Sequence, residues 1–486
     1  MVPAPVPAVP ASASIAGDSP VHVPQVALHA LGAPNMAPSA APNAAPSAIS
    51  PRYQTALTND ELGIVSSYLQ QDNQLEMRDI NDSVRAAVDS TITSLTLSAQ
   101  QARALWSAPN ALHNLREVRL TDCDDADLQQ LAQAMGPVRA SLLSKLELIL
   151  DNDDRNGVTA NGLVALAPLH LAGISLKGMT ITAADAFALS LGASPVSISL
   201  PDDGQAWSDV PGICLIPTLR QLHAPLHHLS DVTVVALRAH PALTNLSVGT
   251  LSGAAVCELV ASASIQALSV RHIVDGEVNV FTAIAGNRVL QSIVIGRVDH
   301  PESLAILSGN PVLTSVTLCL STAASNGIAL LANMPSLQLL SLSAQQASGT
   351  LRAADVQALC ARSFATLQFK QWEIDTAAMA HIVATGTPSL SLDDCYPVTH
   401  KAIEALASNR SLVSLSLLGG VINVHHAIML ATSPTLQFLR AEIGDDAPDN
   451  AQDDIEIAWA VTNKPLANLE LWGFEQDDDN HPMEDA

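Results

Sequence analysis

The dominant feature of this sequence is the pattern Leu-x-x-Leu-x-Leu, which recurs between Ile92 and Leu471 at intervals of about 22 to 28 residues. The last two apolar positions are two residues apart, so both side chains point to the same side of a short strand. The residue between them points to the other side. We count about sixteen copies, including weaker ones such as Phe364-Leu367-Phe369. Each copy is predicted to supply one strand of a parallel sheet.

Stretches with apolar residues at helical spacing, such as Ala402-Ile-Glu-Ala-Leu-Ala, separate these strands. A short strand and a short helix cannot bury an apolar face alone, so stacked neighbours must supply the core. The sequence therefore predicts an α/β fold, a leucine-rich-repeat solenoid shaped as a horseshoe, over residues 92–474. Four asparagines stand three residues before the first Leu of a repeat, where a left-handed residue can end a helix: Asn287, Asn310, Asn409 and Asn463.

In many solenoids of this class, the residue three positions after the last Leu is Asn or Cys. Cys123 and Cys395 occupy this position in two repeats, whereas other repeats have unrelated residues there: Asp151, Met179, Gln345 and Gly420. We therefore expect the buried hydrogen-bond ladder to be irregular or absent. We interpret the two cysteines as buried structural thiols rather than nucleophiles.

Charge and motif content argue against several function classes. The formal net charge of -25 disfavours nucleic acid and acidic membranes, because Lys and Arg supply most of the affinity for phosphate. The cysteines form no Cys-x-x-Cys pair, and no apolar run approaches the length of about eighteen residues that a membrane span needs. His227-His228 and His425-His426 lack a third metal ligand, and no phosphate-binding loop or nucleophile motif is present. We expect no enzyme activity, no metal and no cofactor.

The residues between the last two apolar positions form a row along one face of the predicted sheet. Small hydroxyl residues dominate its middle, and charged or bulky residues lie toward its ends. Trp and Arg often anchor protein interfaces, which makes the ends of this concave face candidates for binding a target protein. Alternatively, Ser and Thr merely solubilise the sheet and Trp472 caps the last repeat. The candidate target-binding residues are Arg119, Glu147, Lys370, Trp372, Arg440, Glu442, Glu470 and Trp472.

Residues 52–91, which precede the repeats, contain apolar residues at helical spacing, with Thr58 or Asn59 as an N-cap. From spacing alone, this segment is a small helical cap for the solenoid. The segment also resembles an F-box, with Thr58 where the F-box has Pro and Asn73-Gln74 where it has Asp-Leu. The residues that carry the resemblance are Leu57, Glu61, Leu62, Ile64, Ser67, Tyr68, Leu69, Met77, Ile80, Asn81, Arg85 and Val88.

An F-box joined to about sixteen repeats behind a Pro/Ser/Ala-rich tail resembles the GALA family of type III effectors from plant-pathogenic bacteria. The family signature Gly-Ala-x-Ala-Leu-Ala is approximated by the hexapeptides that begin at Gly162, Gly327 and Ala402. The resemblance implies that the F-box binds a host Skp-type adaptor of a cullin-RING ubiquitin ligase, while the repeats hold the protein to be ubiquitinated. The adaptor-binding candidates are Leu57, Thr58, Glu61, Leu62, Val65, Tyr68, Leu69, Met77 and Ile80.

Under this interpretation the chain is a monomer that binds an adaptor and a host target, with no nucleic-acid or membrane partner. The alternative is a repeat scaffold or inhibitor that binds a host protein without any link to ubiquitin.

The two ends of the chain differ in composition from the repeats. Residues 1–51 are rich in Pro, Ala and Ser and contain no Lys or Arg, so we expect a disordered tail. This tail is either a linker or a non-cleaved type III export signal that delivers the chain to the host cytoplasm or nucleus. Its early prolines disfavour a general secretory signal. Residues 475–486 form an acidic tail that we interpret as solvated.

Overall fold

A computed structural model describes residues 92–98, 100–102, 116–121, 123–140, 145–149, 158–169, 171–177, 189, 195–200, 211–224, 229–345, 349–444, 448, 451–462 and 464–472. The chain divides into two compact units, residues 1–95 with 110–115 and residues 96–109 with 116–486. The elements below belong to the second unit, except for the first two residues of the first strand. The predicted tails 1–51 and 475–486 and the F-box-like segment 52–91, with all its candidate residues, lie outside the described residues.

Within the described residues, sixteen strands form one sheet whose order follows the chain. Neighbouring strands from β2 to β18 run parallel, which confirms the predicted leucine-rich-repeat architecture. Two short strands, β12 and β14, pair in a separate sheet. The strands are β1 (Ser94–Ser98), β2 (Glu117–Thr121), β3 (Lys145–Ile149), β4 (Gly173–Lys177), β5 (Ser197–Ser199), β6 (Gln221–Ala224), β7 (Asn245–Leu251), β8 (Ala267–Ile273), β9 (Ser292–Val298), β10 (Ser315–Leu320), β11 (Leu339–Ala344), β12 (Thr350–Leu351), β13 (Thr366–Lys370), β14 (Glu373–Ile374), β15 (Ser389–Asp393), β16 (Ser414–Ile422), β17 (Phe438–Ile443) and β18 (Leu469–Trp472).

Strand register stacks equivalent apolar side chains of successive repeats. Val316 pairs with Leu340 and Leu318 with Leu342, and all four side chains are fully buried. Each fully buried aliphatic side chain of this kind contributes about 1.5 to 3 kcal/mol relative to exposure. The core is therefore a continuous stack of Leu, Val and Ile beneath the sheet, as the alternation in the sequence predicts.

Helices connect the strands and pack against the helices of neighbouring repeats. None of the helices within the described residues is long and apolar enough to cross a membrane. Short 3-10 helices complete this layer at Ala167–Leu169, Pro211–Leu215, Ala324–Asn333 and Leu466–Asn468. The α-helices of the described residues are α1 (Asp125–Ala140), α2 (Ala160–Ala165), α3 (Asp231–Arg238), α4 (Gly253–Val260), α5 (Glu277–Gly286), α6 (Pro301–Leu307), α7 (Ala353–Cys360), α8 (Thr376–Val383), α9 (His400–Ser408), α10 (Val424–Ala431) and α11 (Ala451–Val461).

Side-chain caps define the start of several of these helices. The Ser252 hydroxyl accepts from the Ala255 amide at 3.2 Å, and the Asp375 carboxylate accepts from the Ala378 amide at 2.6 Å. Such a cap contributes about 1 kcal/mol by satisfying an amide that has no partner within the helix. The capping residues are Thr159, Ser230, Ser252, Asp375, Thr399 and Asn423.

Two glycines allow close approach between segments of successive repeats. A Cβ atom on Gly253 would lie 2.3 Å from the carbonyl oxygen of Asp275. A Cβ atom on Gly327 would lie 3.0 Å from the carbonyl oxygen of Pro301 and 3.1 Å from the Cβ atom of Leu304. The glycine that begins the hexapeptide at residue 327 therefore has a packing role, because a larger residue would push the repeats apart.

The prediction of a left-handed conformation is wrong for Asn287, Asn310 and Asn409, whereas Asn463 lies outside the described residues. Asn287 has φ -73° and ψ 140°, and Asn409 has φ -69° and ψ 122°, so both are extended. In each case the side-chain oxygen accepts hydrogen bonds from the amides two and three residues later, for example those of Ser411 and Leu412. The side chain, rather than a left-handed backbone, closes the turn from helix to strand.

A buried hydrogen-bond ladder lies at this turn. The Asn310 amide donates to the carbonyl oxygens of Ile284 at 2.7 Å and Asn287 at 3.1 Å, and its oxygen accepts from the amides of Val312 and Leu313. The ladder therefore lies before the strand. The sequence indicated only the position after the strand, where an irregular or absent ladder was expected. Other side chains that bond to carbonyls of a preceding repeat include His240, Ser262, Asn287, Arg362, Asn409 and Lys464.

Candidate functional site

The candidate site is the row of residues between the last two apolar positions of each strand, which we call the outward row. Strand pairing holds it in register from Arg119 of β2 to Glu470 of β18. Its middle contains mostly small, uncharged side chains, of which Ser175 is buried. These residues are Ser175, Ser199, His223, Ser247, Ser269, Val294, Thr317 and Ser341.

Two ion pairs lie at the N-terminal end of the sheet, one within the outward row and one two residues before it on the same strands. Arg119 Nε lies 2.9 Å from Glu147 Oε2, and Glu147 is buried despite its charge. Lys145 Nζ lies 3.8 Å from Glu117 Oε2, and both of these side chains are exposed. The four charges at this end therefore neutralise one another in pairs.

Arg440 is the centre of the C-terminal end of the row. Its guanidinium carbon lies 5.4 Å from the centre of the Trp472 ring, and its Nε atom lies 3.2 Å from Glu470 Oε2. The Nε atom is buried, yet the geometry of this contact is that of an ion pair without a hydrogen bond. Glu442 accepts a hydrogen bond from the Gly419 amide at 2.6 Å. Predicted site residues on β17 and β18 thus lie together.

A hydrogen-bond network that the sequence analysis did not identify joins four neighbouring strands. The Asp393 carboxylate accepts from the hydroxyls of Ser391 and Ser416, both at 2.7 Å, and from the Gln368 side-chain amide at 3.2 Å. The Gln368 side-chain oxygen in turn accepts from the Ser341 hydroxyl at 3.0 Å. Asp393 ends β15 one residue past the last apolar position, so strand alternation alone could have placed it on the outward face.

Trp372 is not a surface residue, which corrects its prediction as a target-binding residue. Its side chain is fully buried, and Nε1 donates to the Leu342 carbonyl oxygen at 2.9 Å. Uninterrupted alternation after Phe369 would turn residue 372 outward, but Gln371 has φ 62° and shifts the alternation by one residue. Lys370, by contrast, is exposed, as the alternation predicts.

Left-handed residues occur in three successive repeats, at Gln371 (φ 62°) directly after β13, Asp394 (φ 53°) directly after β15 and Gly419 (φ 66°) within β16. The amide of Gln371 donates to the Asp393 carbonyl oxygen at 2.9 Å, in the next repeat. Within the described residues, Gln371 and Asp394 are the only non-glycine residues with positive φ. Such conformations are sparsely populated outside glycine, and here they set a common path for the chain beside the C-terminal part of the outward row.

Three histidines lie together on the helical side. Nδ1 of His400 lies 2.6 Å from Nε2 of His426, and Nε2 of His400 lies 3.2 Å from Glu404 Oε1. Burial lowers the pKa of His426, and the neighbouring His400 and His425 lower it further, against the opposing effect of Glu404. No group of three or more His, Cys, Asp or Glu within the described residues is arranged to hold a metal ion.

The two cysteines singled out in the sequence are buried in the structure. Burial raises the pKa of Cys395 to about 12, and its thiol donates to the carbonyl oxygens of Phe369 and Asp393, both at 3.4 Å. A thiol with such a pKa is protonated at neutral pH and a poor nucleophile. The interpretation of Cys123 and Cys395 as buried structural residues is confirmed.

No protein-family model and no curated protein sequence matches this chain. The internalin InlF from Listeria monocytogenes aligns with 70% of this chain and 92% of its own, at 15% identity and a TM-score of 0.38. The chain has a leucine-rich-repeat fold. The TLR13 chain solved in complex with ssRNA13 aligns with 73% of this chain and 60% of its own, at 14% identity and a TM-score of 0.35. Because both TM-scores are low, the fold assignment depends on the strand order and register described above.

Proposed function

We propose that this protein is a type III effector that acts as an F-box substrate adaptor. In this proposal, residues 57–88 bind a host Skp-type adaptor, and the outward row binds the host protein to be ubiquitinated. The sequence resemblance to F-box and GALA proteins supports the adaptor half. The observation that supports target binding is the continuous row in register from Arg119 to Glu470, with Arg440 and Trp472 together at its end.

The C-terminal end of the row has the properties of an interface anchor. Trp and Arg are the residue types most enriched among side chains that dominate binding energy. Trp472 is 40% exposed, and Arg440 is held by the Trp472 ring and Glu470. Side chains already held in place lose less conformational entropy on binding than free ones. Binding of a partner at this end would therefore require little reordering of the Arg440 and Trp472 side chains.

The alternative is a repeat scaffold or inhibitor that binds a host protein without a ubiquitin ligase. It is favoured by the fact that the outward row is built entirely within the repeats and does not require residues 52–91. The two proposals share the target-binding row and differ only in the role of the segment that precedes it.

Direct binding to a purified plant Skp-type adaptor separates them. The full chain, immobilised, is expected to bind the adaptor at low micromolar concentration, whereas a chain from which residues 57–88 have been deleted does not. A wild-type chain that retains its folded repeats but binds no adaptor at high micromolar concentration would reject the F-box role and leave the scaffold.

Export is tested separately with a translocation reporter fused to the chain. Deletion of residues 1–51 is expected to leave the melting temperature unchanged, because the segment has no pattern from which to build a packed core. It is expected to abolish type III delivery into plant cells. Continued delivery of the truncated chain would show that residues 1–51 are a linker.

A further inference from the structure

The surface around the C-terminal end of the outward row carries more negative than positive charge. Its seven residues lie on β13, β15, β17 and β18 or directly after β15. Four are carboxylates and two are cations. We call it the acidic end surface, and its members are Lys370, Asp393, Asp394, Arg440, Glu442, Glu470 and Trp472.

The charges of this surface are not neutralised internally as they are at the other end of the row. Arg440 is paired with Glu470. None of the ion pairs found among the described residues involves Asp393, Asp394 or Glu442. At the N-terminal end, by contrast, Arg119 and Lys145 each have a carboxylate partner. Of the carboxylates compared at the two ends, Asp393, Asp394 and Glu442 therefore have no ion-pair partner within 4 Å among the described residues, although Lys370 lies opposite Asp393 in the strand register.

Two of these carboxylates have fixed orientations. Asp393 accepts from Ser391, Ser416 and Gln368, which uses three of the roughly four acceptor sites of a carboxylate. Glu442 is held by the Gly419 amide at 2.6 Å. A carboxylate that is already oriented loses little conformational freedom when a cation binds. Both remain partly exposed to solvent.

We infer that the acidic end surface binds a cationic segment of the target protein, with an arginine side chain of that segment at Asp393 or Glu442. Guanidinium groups form paired hydrogen bonds with carboxylates and stack on aromatic rings, and the exposed part of Trp472 offers such a ring. Glu442 accepts one hydrogen bond and can accept such a pair, whereas Asp393 already accepts three and can add a single hydrogen bond. The inference rests on the proposed role of the outward row in target binding. It adds the chemical class of the bound segment and its position on the row.

Fluorescence anisotropy with a labelled (Gly-Ser-Arg)4 peptide and the full chain tests the inference. The peptide is expected to bind, and its (Gly-Ser-Glu)4 counterpart is not. The double variant Asp393→Asn/Glu442→Gln is expected to bind the arginine peptide at least about tenfold more weakly, because both oriented charges are lost. The control Glu117→Gln/Glu302→Gln removes the same number of carboxylates elsewhere and is expected to keep the wild-type affinity within about twofold.

Equal weakening in both double variants would overturn the inference, because it would show general attraction to a chain of net charge -25. Absence of arginine-peptide binding in the wild type at about 50 mM salt would also overturn it. If Asp393→Asn lowers the melting temperature, the arginine-peptide affinity of the single variant Glu442→Gln is used instead, with Glu117→Gln as its control. Adaptor binding is measured on every variant. Loss of adaptor binding with retained arginine-peptide binding rejects the F-box role only. Retained adaptor binding without arginine-peptide binding rejects this inference only.

Discussion

The side-chain amide of Asn310 donates a 3.1 Å hydrogen bond to the backbone carbonyl oxygen of Asn287, the residue at the same position one repeat earlier. Asn310 is fully buried, and its side chain also satisfies the Ile284 carbonyl and the amides of Val312 and Leu313. The repeats are thus joined by side-chain bonds to the backbone as well as by strand pairing.

Replacement of Asn310 by Ala is therefore expected to destabilise the protein by about 3 kcal/mol, because buried backbone groups lose their partners. Asn326→Ala is the control, since Asn326 is exposed and bonds only within its own turn. Urea unfolding of both variants measures the difference. A loss of less than about 1 kcal/mol in Asn310→Ala would show that the ladder contributes little.

Trp372 is expected to act in the core and Trp472 at the surface. Trp372→Ala should destabilise the protein by about 3 to 5 kcal/mol, because it removes a fully buried ring. Trp472→Ala should change stability by less than about 1 kcal/mol. Thermal or urea unfolding of the two variants decides. A large loss in Trp472→Ala would instead support its role as a cap of the last repeat.

Two glycines are expected to respond to Ala in opposite directions. Gly253→Ala should destabilise by about 1 to 3 kcal/mol, because its Cβ atom would lie 2.3 Å from the backbone oxygen of Asp275. Gly286→Ala, in the last turn of α5, has no atom within 4 Å of the new Cβ and should stabilise by about 0.5 to 1 kcal/mol. Similar melting temperatures for the two variants would contradict the packing described for Gly253.

The histidine cluster is expected to make stability depend on pH. The pKa of His426 is lower in the folded chain than its usual value of about 6.5, so the unfolded chain takes up the proton first. This contribution is constant above about pH 6.5 and is lost as the pH falls through the lowered pKa. Melting temperatures from pH 7.5 to 5 should fall less steeply for His426→Gln than for the wild type. His300→Gln, outside the cluster, should keep the wild-type slope; equal slopes in all three would reject the prediction.

The fold could be predicted from the sequence because the Leu-x-x-Leu-x-Leu spacing specifies both the strand and its buried face. Leu340 and Leu342, for example, are buried as the alternation predicts. Trp372 could not be placed, because a left-handed Gln371 shifts the alternation and no sequence pattern marks a left-handed Gln. The asparagine ladder before the strand was not predicted, because its partners are backbone carbonyls about one repeat away.

The candidate site could be predicted only in part. The alternation of buried and outward residues along each strand predicts Arg440 of β17 and Glu470 of β18 side by side, and the structure confirms this. The network around Asp393 was missed because it joins side chains from neighbouring strands whose hydrogen bonds depend on rotamers. The same holds for the contact between His400 and His426, which are 26 residues apart.

The affinity of the double variant Leu57→Ala/Leu62→Ala for a purified plant Skp-type adaptor tests the proposed function most directly. The expected result is an unchanged melting temperature and an affinity at least about tenfold lower, because two interface leucines lose their buried contacts. Leu215→Ala/Leu330→Ala, which truncates two exposed leucines of the repeats, is expected to retain wild-type affinity. Unchanged adaptor affinity in Leu57→Ala/Leu62→Ala, or a loss of stability of about 2 to 5 kcal/mol per leucine, would contradict the F-box role and favour a helical cap.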